Sequence, residues 1–287
     1  MNTMPVPTQS VDQIEMDLFL EALHRRYHYD FRSYSRASLV RRAEVVRERL
    51  GCETLSQVQS RLLHDPAVLP EVIDAMTVQV SEFFRDPAYY RALRHDVLPH
   101  LRTFSSLKVW VAGCANGEEL YSMAILFREE GLLDRTIFYA TEINRRALAK
   151  AAAGIYEIDR LPGFSANYQK AGGRASLSDH YTAAYGHAAF DRSLRNRVVF
   201  SEHDLATDEV FSEVHLVSCR NVLIYFDDKL QNRALRLFSD SLVRGGFLGL
   251  GAHETLRFSD HSAAFSAFNE RERIWRRSAH QEVQHAT

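Results

Sequence analysis

LKVWVAG at residues 107–113, running on into CANGEELYSMAILFREEG at 114–131, is the stretch that decides the fold. Its first piece is a short apolar run with β-branched valines ending in glycine, the pattern of a buried strand. Its second piece has helical periodicity and is stopped by Gly131. The same alternation recurs downstream. TIFYATEI (136–143) reads as a second strand before the helix NRRALAKAAAG (144–154), RVVFSEHDL (197–205) as a third strand and VHLVSCRNVLIYF (214–226) as a fourth. DDKLQNRALRLFSDSLVRGG (227–246) is expected to be a helix with a glycine stop, and GFLGLGAHETL (246–256) and the segment around RERIWRR (271–277) to supply the last strands. Strands alternating with helices predict an open α/β sheet with ligands at the strands' carboxyl ends. No long helix separates the closing strands, so they predict an antiparallel hairpin at one edge.

Between Tyr156 and Arg197 the alternation breaks. GFSANYQKAGGRASLSDHYTAAYGHAAFDRS (163–193) is rich in small, polar and aromatic residues and too long for a plain connection, so an inserted subdomain with a few short strands is expected. Upstream, about the first hundred residues read as helices. Met16, Phe19, Leu20 and Leu23 recur at helical spacing, as do Leu39, Ala43, Val46 and Leu50 before Gly51. Further helices are expected over Leu55–Leu63, Leu69–Met76 and Tyr89–Leu101.

Composition narrows the function classes. With 35 Lys and Arg against 37 Asp and Glu, the net charge of −2 gives no global attraction to nucleic acid or an anionic membrane. Cys52, Cys114 and Cys219 are scattered and odd in number, which argues against a disulfide framework or a cysteine-built metal site and suits a reducing compartment. The stretch MNTMPVPTQSVDQIEMD lacks a basic start followed by an apolar run, and no apolar run reaches the ~18 residues of a membrane span. A cytoplasmic monomer that holds no metal is the expectation.

The turn Ala112-Gly113-Cys114-Ala115-Asn116-Gly117-Glu118-Glu119 is the first candidate binding element. It is neither GxGxxG nor GxxxxGK[ST], and its two glutamates would repel a pyrophosphate. An acidic turn suits a cationic ligand without phosphate, and S-adenosyl-L-methionine, with its sulfonium and ammonium groups, fits. An ordinary strand-to-helix turn with a carboxylate favouring the helix N-terminus would read the same way. Glu142 lies about 25 residues further on, near the ~20-residue spacing at which an acid grips ribose hydroxyls. Asp204, at the end of the third strand, is able to accept from an adenine amine. Arg220 and Asn221 interrupt the apolar run of the fourth strand and need partners if buried. Phe83 and Phe84 either anchor their segment on the catalytic domain with Arg85 pointing into the cleft or, as spacing alone favours, form an aromatic core pair beside a surface arginine.

FFRDP (83–87), AGCANGEE-x-YS (112–122), ATEIN-x-RAL-x-KA-x-x-GIY (140–156), CRNVLIYFD (219–227) and GG-x-L-x-LG (245–251) together resemble the CheR family of protein-glutamate O-methyltransferases, over about residues 17–276. The resemblance implies an N-terminal helical domain over 11–95 and a class I, Rossmann-like methyltransferase sheet over 96–287, with a small inserted β-subdomain at about 163–196. It implies S-adenosyl-L-methionine as donor and S-adenosyl-L-homocysteine as product. By position, Gln79, Ser81 and Arg85 line the cleft; Ala112, Gly113, Glu118 and Glu119 meet the methionine end; Glu142 meets the ribose and Ile143 the adenine face. Asp204 with Leu205 hold the adenine amine, Asn221 with Val222 complete the floor, and Arg85 and Tyr225 act on the substrate. Family members more often read N-E-T where this chain has Gln79-Val80-Ser81 and D-I-D where it has Glu142-Ile143-Asn144, so hydrogen-bonding capacity is kept at the contact positions. The implied partner is an acidic helical methylation segment of a chemoreceptor or related signalling protein. In some relatives the inserted subdomain adds a receptor peptide as an extra strand. Arg36, Arg41, Arg42, Arg47 and Arg49 make the second helix basic, which is either a docking face for such a segment or a solvated face pairing with Glu44 and Glu48.

Overall fold

Apolar positions at helical spacing drive the first hundred residues into helices, and in the computed structural model these fall into two separate units. Residues 9–256 and 259–278 are described; 257–258 and 279–287, within the span expected for the methyltransferase domain, and 1–8, at the start of the stretch read for a leader, lie outside them. The chain divides into compact units at 1–78 and 79–287. The first unit holds α1 (Val11–Tyr27), α2 (Arg36–Leu50), α3 (Leu55–His64) and α4 (Leu69–Met76). Ser10 and Gln13 form a capping box that starts α1, and Gly51, in the left-handed region, ends α2. Of the stripe expected from periodicity, Met16, Phe19, Leu20, Leu23, Leu39, Ala43 and Val46 are buried and Leu50 is half-buried.

The second unit begins with α5 (Pro87–Ala92), a π-helical turn (Leu93–Val97) and α6 (Leu98–Leu101). The single helix expected over 89–101 is thus broken, and Pro99 explains the break. It has no N–H to offer the His95 carbonyl, and a widened turn accommodates its ring. Phe83, Phe84, Tyr89, Tyr90, Leu93 and Val97 belong to one core cluster with sheet residues such as Val109, Phe138 and Leu216. These helices therefore belong to the second unit, and the division falls at 78/79, upstream of the 95/96 boundary read from the sequence.

The alternation that follows comprises β1 (Leu107–Ala112), α7 (Glu118–Glu129), β2 (Thr136–Glu142), α8 (Arg145–Ala153), β3 (Ile155–Glu157), α9 (Leu161–Lys170), β4 (Tyr181–Ala184), β5 (His187–Phe190), β6 (Val198–Glu202), β7 (Val214–Cys219), α10 (Asp228–Ser241), β8 (Leu242–Leu250), β9 (Phe265–Asn269) and β10 (Ile274–Arg277). The main sheet has the order β6-β2-β1-β7-β8-β10-β9. Its first five members are parallel, and β10 and β9 close the edge antiparallel. The order reverses between β1 and β7, so a crevice opens outside their carboxyl ends. That is the Rossmann-like architecture the sequence predicts.

Three elements differ in detail. α10 stops at Ser241, short of the glycines, because fully buried Leu242 pairs with Val214 and starts β8. β9 was not expected. The inserted β3, β5 and β4 form the predicted small antiparallel sheet, but they begin at 155 and are joined by a ten-residue helix, α9, where no long helix was expected. Leu161, Phe164 and Tyr168 are its buried stripe, and Gly163, Ser165 and Asn167 mask it in a propensity reading. Among the described residues no helix is long and apolar enough to cross a membrane.

Candidate active site

The crevice is built from a glycine turn that tolerates no side chain. Gly113 lies at φ +68°, and a Cβ there would stand 2.6 Å from Val222 Cγ2. Gly117 lies at φ +96°, and its Cβ would meet the Ala151 backbone at 3.0 Å. β1 and β7 can therefore deliver Ala112 and Val222 to the same floor. Ala115, at φ +48°, donates its N–H to Glu142 Oε2 at 3.0 Å, tying the turn to the end of β2.

Residues 79–81 are clamped onto this turn. Asn116 Nδ2 donates to the Gln79 carbonyl at 2.9 Å, and the Gln79 side chain hydrogen-bonds Glu142. Arg160 donates from Nη1 to Glu118 Oε1 at 2.9 Å and from Nη2 to the Ser81 carbonyl. Three buried acceptors in this cluster, Gln79 Oε1, Asn116 Oδ1 and Glu118 Oε2, have no hydrogen-bond donor among the described residues. Buried acceptors without donors are costly, and an ammonium group brings three N–H donors and no acceptor. Burial pushes the carboxyls of Glu118, Glu119 and Glu142 above the usual range; Arg160 opposes this at Glu118, Arg220 at Glu119, and backbone N–H groups at Glu142. The crevice holds three buried carboxyls, of which Glu118 faces Arg160 and Glu119 faces Arg220. Its donorless acceptors fit a ligand group that brings N–H donors, as the ammonium of S-adenosylmethionine does.

Glu119 points elsewhere. Its Oε1 accepts from Ser218 Oγ at 2.6 Å, and its Oε2 lies 3.6 Å from Arg220. Arg220 is buried, donates to the Arg85 carbonyl at 3.0 Å and to Asp86 Oδ2 at 2.7 Å, and lies over the Tyr89 ring at 4.2 Å. These are the partners that its place in an apolar strand demanded.

Arg85 sits between two residues held in the left-handed region, Phe84 at φ +52° and Asp86 at φ +56°. Such conformations cost about 1–3 kcal/mol each and persist only where surroundings over-determine them. Here Phe84 N–H donates to Ser122 Oγ at 2.8 Å, the Phe83 ring stacks on Phe190 at 4.5 Å, and Asp86 is held by Arg220. The backbone at Arg85 is thus fixed on both sides. Neither its guanidinium nor the Tyr225 hydroxyl has a hydrogen-bond or ion-pair partner among the described residues.

Asn221, at φ +60°, begins a cradle of backbone donors. The N–H groups of Asn221, Val222 and Leu223 donate to the Glu254 carboxylate at 3.0, 2.9 and 2.8 Å, and that of Gly251 at 2.5 Å. The cradle that an anion would otherwise fill is closed by a side chain of the chain itself. Asp204 and Leu205 are buried one strand further out, where His203 N–H meets the Glu142 carbonyl at 3.3 Å. Asp204 Oδ1 accepts from Ala206 N–H at 2.8 Å, and Ile143 follows Glu142 at the end of β2. Sequence reading gave no role to Arg160 or Glu254, and none to Asn116 beyond its place in the glycine turn. Asn116 alone carried a local signal, a polar residue inside the glycine turn. Among the described residues no group of three or more His, Cys, Asp or Glu is arranged to hold a metal.

A parallel sheet with its switch point at an acidic glycine turn, and donorless acceptors where a phosphate would be repelled, defines an S-adenosylmethionine-dependent methyltransferase of the Rossmann-like class. Residues 79–274 match the family model for the CheR methyltransferase SAM binding domain and residues 14–77 that for the CheR methyltransferase all-alpha domain, so the chain belongs to the CheR methyltransferase family. The Pseudomonas putida protein Cher3 is 52% identical over 92% of this chain and 97% of its own length. The chemotaxis protein methyltransferase of Listeria monocytogenes is 32% identical over 71% of this chain and 75% of its own. Chemotaxis protein methyltransferase 1 of Vibrio cholerae is 31% identical over 64% of this chain and 67% of its own.

Proposed function

We propose that this chain methyl-esterifies glutamate side chains on a chemoreceptor or related signalling protein in the cytoplasm, acting as a monomer. The observation that carries the reading is the pairing of donorless buried acceptors at Gln79, Asn116 and Glu118 with an unpartnered guanidinium at Arg85. One side suits a cation and the other an anion. When bound, S-adenosylmethionine supplies an electrophilic methyl group. A glutamate carboxylate, with a reference pKa of about 4.3, is already ionised at neutral pH and requires no general base. Arg85 orients it, and Tyr225 donates a hydrogen bond beside it. The strained backbone around Arg85 serves that positioning, because a guanidinium that bound the carboxylate too tightly would stabilise the ground state. Names of the Listeria and Vibrio relatives support the chemotaxis assignment. The roles given to Ala112, Gly113, Ile143, Asp204, Leu205, Asn221 and Val222 as floor and adenine side of the donor site, and to Glu119 near its methionine end, belong to the same reading.

Calorimetry with S-adenosylhomocysteine and an assay for base-labile methanol test it together. Arg85→Ala is expected to lower tritiated-methyl transfer about 100-fold, as loss of alignment does. Tyr225→Phe should lower it about tenfold, as loss of one hydrogen bond to a charged centre does. Binding of S-adenosylhomocysteine should change little in either. Full activity in both variants would remove the assignment, and binding without released methanol would make the protein a silent cofactor-binding regulator.

The helical unit offers a docking face. Arg36 pairs with Asp17 at 3.0 Å and Arg47 with Glu44 at 3.4 Å, whereas Arg41, Arg42 and Arg49 have no ion pair among the described residues. Local pairing therefore accounts for only part of the basic face. Reversing Arg41 and Arg42 to Glu is expected to cut kcat/KM for an acidic helical substrate about tenfold at low salt and to flatten its salt dependence. An unchanged salt profile would rule out docking there.

A further inference from the structure

Arg160 lies outside every motif that carries the sequence resemblance, yet it reaches the centre of the site. It ends the short turn Ile158–Arg160 that follows β3 of the inserted sheet. Its guanidinium rests over the Phe164 ring, 4.8 Å from the centroid, and bridges Glu118 Oε1 to the Ser81 carbonyl. Glu118 is wholly buried and keeps its second oxygen, Oε2, without a donor. A side chain of β3 itself, Tyr156, donates to the Asn116 carbonyl at 2.8 Å. The inserted sheet thus grips the glycine turn at two points. We propose that Arg160 is a positioning residue of the donor site, fixing the Glu118 carboxylate so that Oε2 receives the donor's ammonium. This rests on the reading of the crevice as an S-adenosylmethionine site.

The physical reason is that a wholly buried carboxyl left alone takes up a proton. Burial already pushes Glu118 up, against the pull of its own backbone N–H and Arg160, and Glu82 pushes the same way. Tyr156 and Cys114 lie nearby, and burial, with a smaller contribution from Glu118, pushes both of them up. Among these neighbours Arg160 is the only cation. Removing it raises the Glu118 carboxyl further, and a protonated Glu118 loses its attraction for an ammonium group.

The test measures the dissociation constant of S-adenosylhomocysteine for the full chain by calorimetry from about pH 6 to pH 9, above the range of ordinary carboxyls. Arg160→Met is expected to weaken binding about 10- to 100-fold near neutrality, the range of a broken charge pair. The ratio to wild type should shrink as pH rises and Glu118 ionises; titration of the ligand's amine is common to both proteins and cancels. Arg160→Lys should recover most of the loss. In a Glu118→Gln background, Arg160→Met should add nothing, and that double variant carries no uncompensated buried charge if the single one folds poorly. Weakening that is constant with pH, or that adds to Glu118→Gln, would reduce Arg160 to scaffold and overturn the proposal. Failure of the wild type itself to bind would instead remove the donor-site reading, and this inference with it.

Discussion

Replacing Glu254 by alanine is expected to destabilise the second unit by about 3–5 kcal/mol, among the largest effects a single side chain has. The carboxylate accepts from four backbone N–H groups, those of Asn221, Val222, Leu223 and Gly251. Each buried donor left without an acceptor costs about 1–3 kcal/mol. Burial pushes the Glu254 carboxyl up while these four N–H groups pull it down, so the group is a desolvated one held by directed hydrogen bonds. Glu254→Gln keeps one acceptor oxygen and sets an amide N–H₂ against backbone donors, so a smaller but substantial loss is expected. Both tryptophans, Trp110 and Trp275, lie in the second unit, and their fluorescence in urea reports its unfolding separately from the helical unit. Because the carboxylate joins the exits of β7 and β8 beneath Asn221 and Val222, donor affinity should fall along with stability. A loss under about 1 kcal/mol would show that water or a local shift satisfies the four donors.

What the sequence made legible follows from which forces act locally. Strands β1 and β7 are buried on both faces over most of their length, and β2 over its second half, so each shows an apolar run ending at a polar or glycine residue, and that texture is readable. The strand-end positions of Gly113, Glu142, Asp204 and Asn221 come with it. Residues whose roles depend on distant partners were not legible. Arg160 meets Glu118 across 42 positions and Glu254 meets Asn221 across 33, and no periodicity carries information over such separations. Glu119 is the converse case. It sits next to Glu118 in the turn and looks equivalent, yet one helical step sends it toward Ser218 and Arg220. The π-helical turn and α9 were missed because Pro99 and the Gly163-Ser165-Asn167 series weaken a local reading that tertiary packing overrides.

The Arg85 segment depends on one buried cation, and Arg220→Met is expected to show how. The variant keeps most of the side-chain volume but removes the partner of Asp86 and Glu119 and the donor to the Arg85 carbonyl. Deleting a buried cation costs about 3–5 kcal/mol where the charge that remains is uncompensated; buried Glu119 is that charge here, whereas Asp86 is half-exposed and turns to solvent. Burial alone would pull the Arg220 guanidinium down; Glu119, Tyr90, Tyr89 and Asp86 raise it instead, so it stays cationic. Without it, Glu119 takes up a proton or draws in water. Phe84 and Asp86 meanwhile keep their left-handed backbone only while something holds them, and Arg220 holds the second of the two. Release of Asp86 frees Arg85, so methyl transfer should fall by about 100-fold, the cost of a misplacement near 1 Å. Pairing Arg220→Met with Glu119→Gln separates the two consequences. Neutralising the orphaned carboxylate should return much of the stability, since buried pairs replaced as a whole are often tolerated. It returns no donor to the Arg85 carbonyl, so activity should stay low. Recovery of transfer in step with stability would mean that Arg220 serves the core alone and that the strained turn is held by its aromatic neighbours.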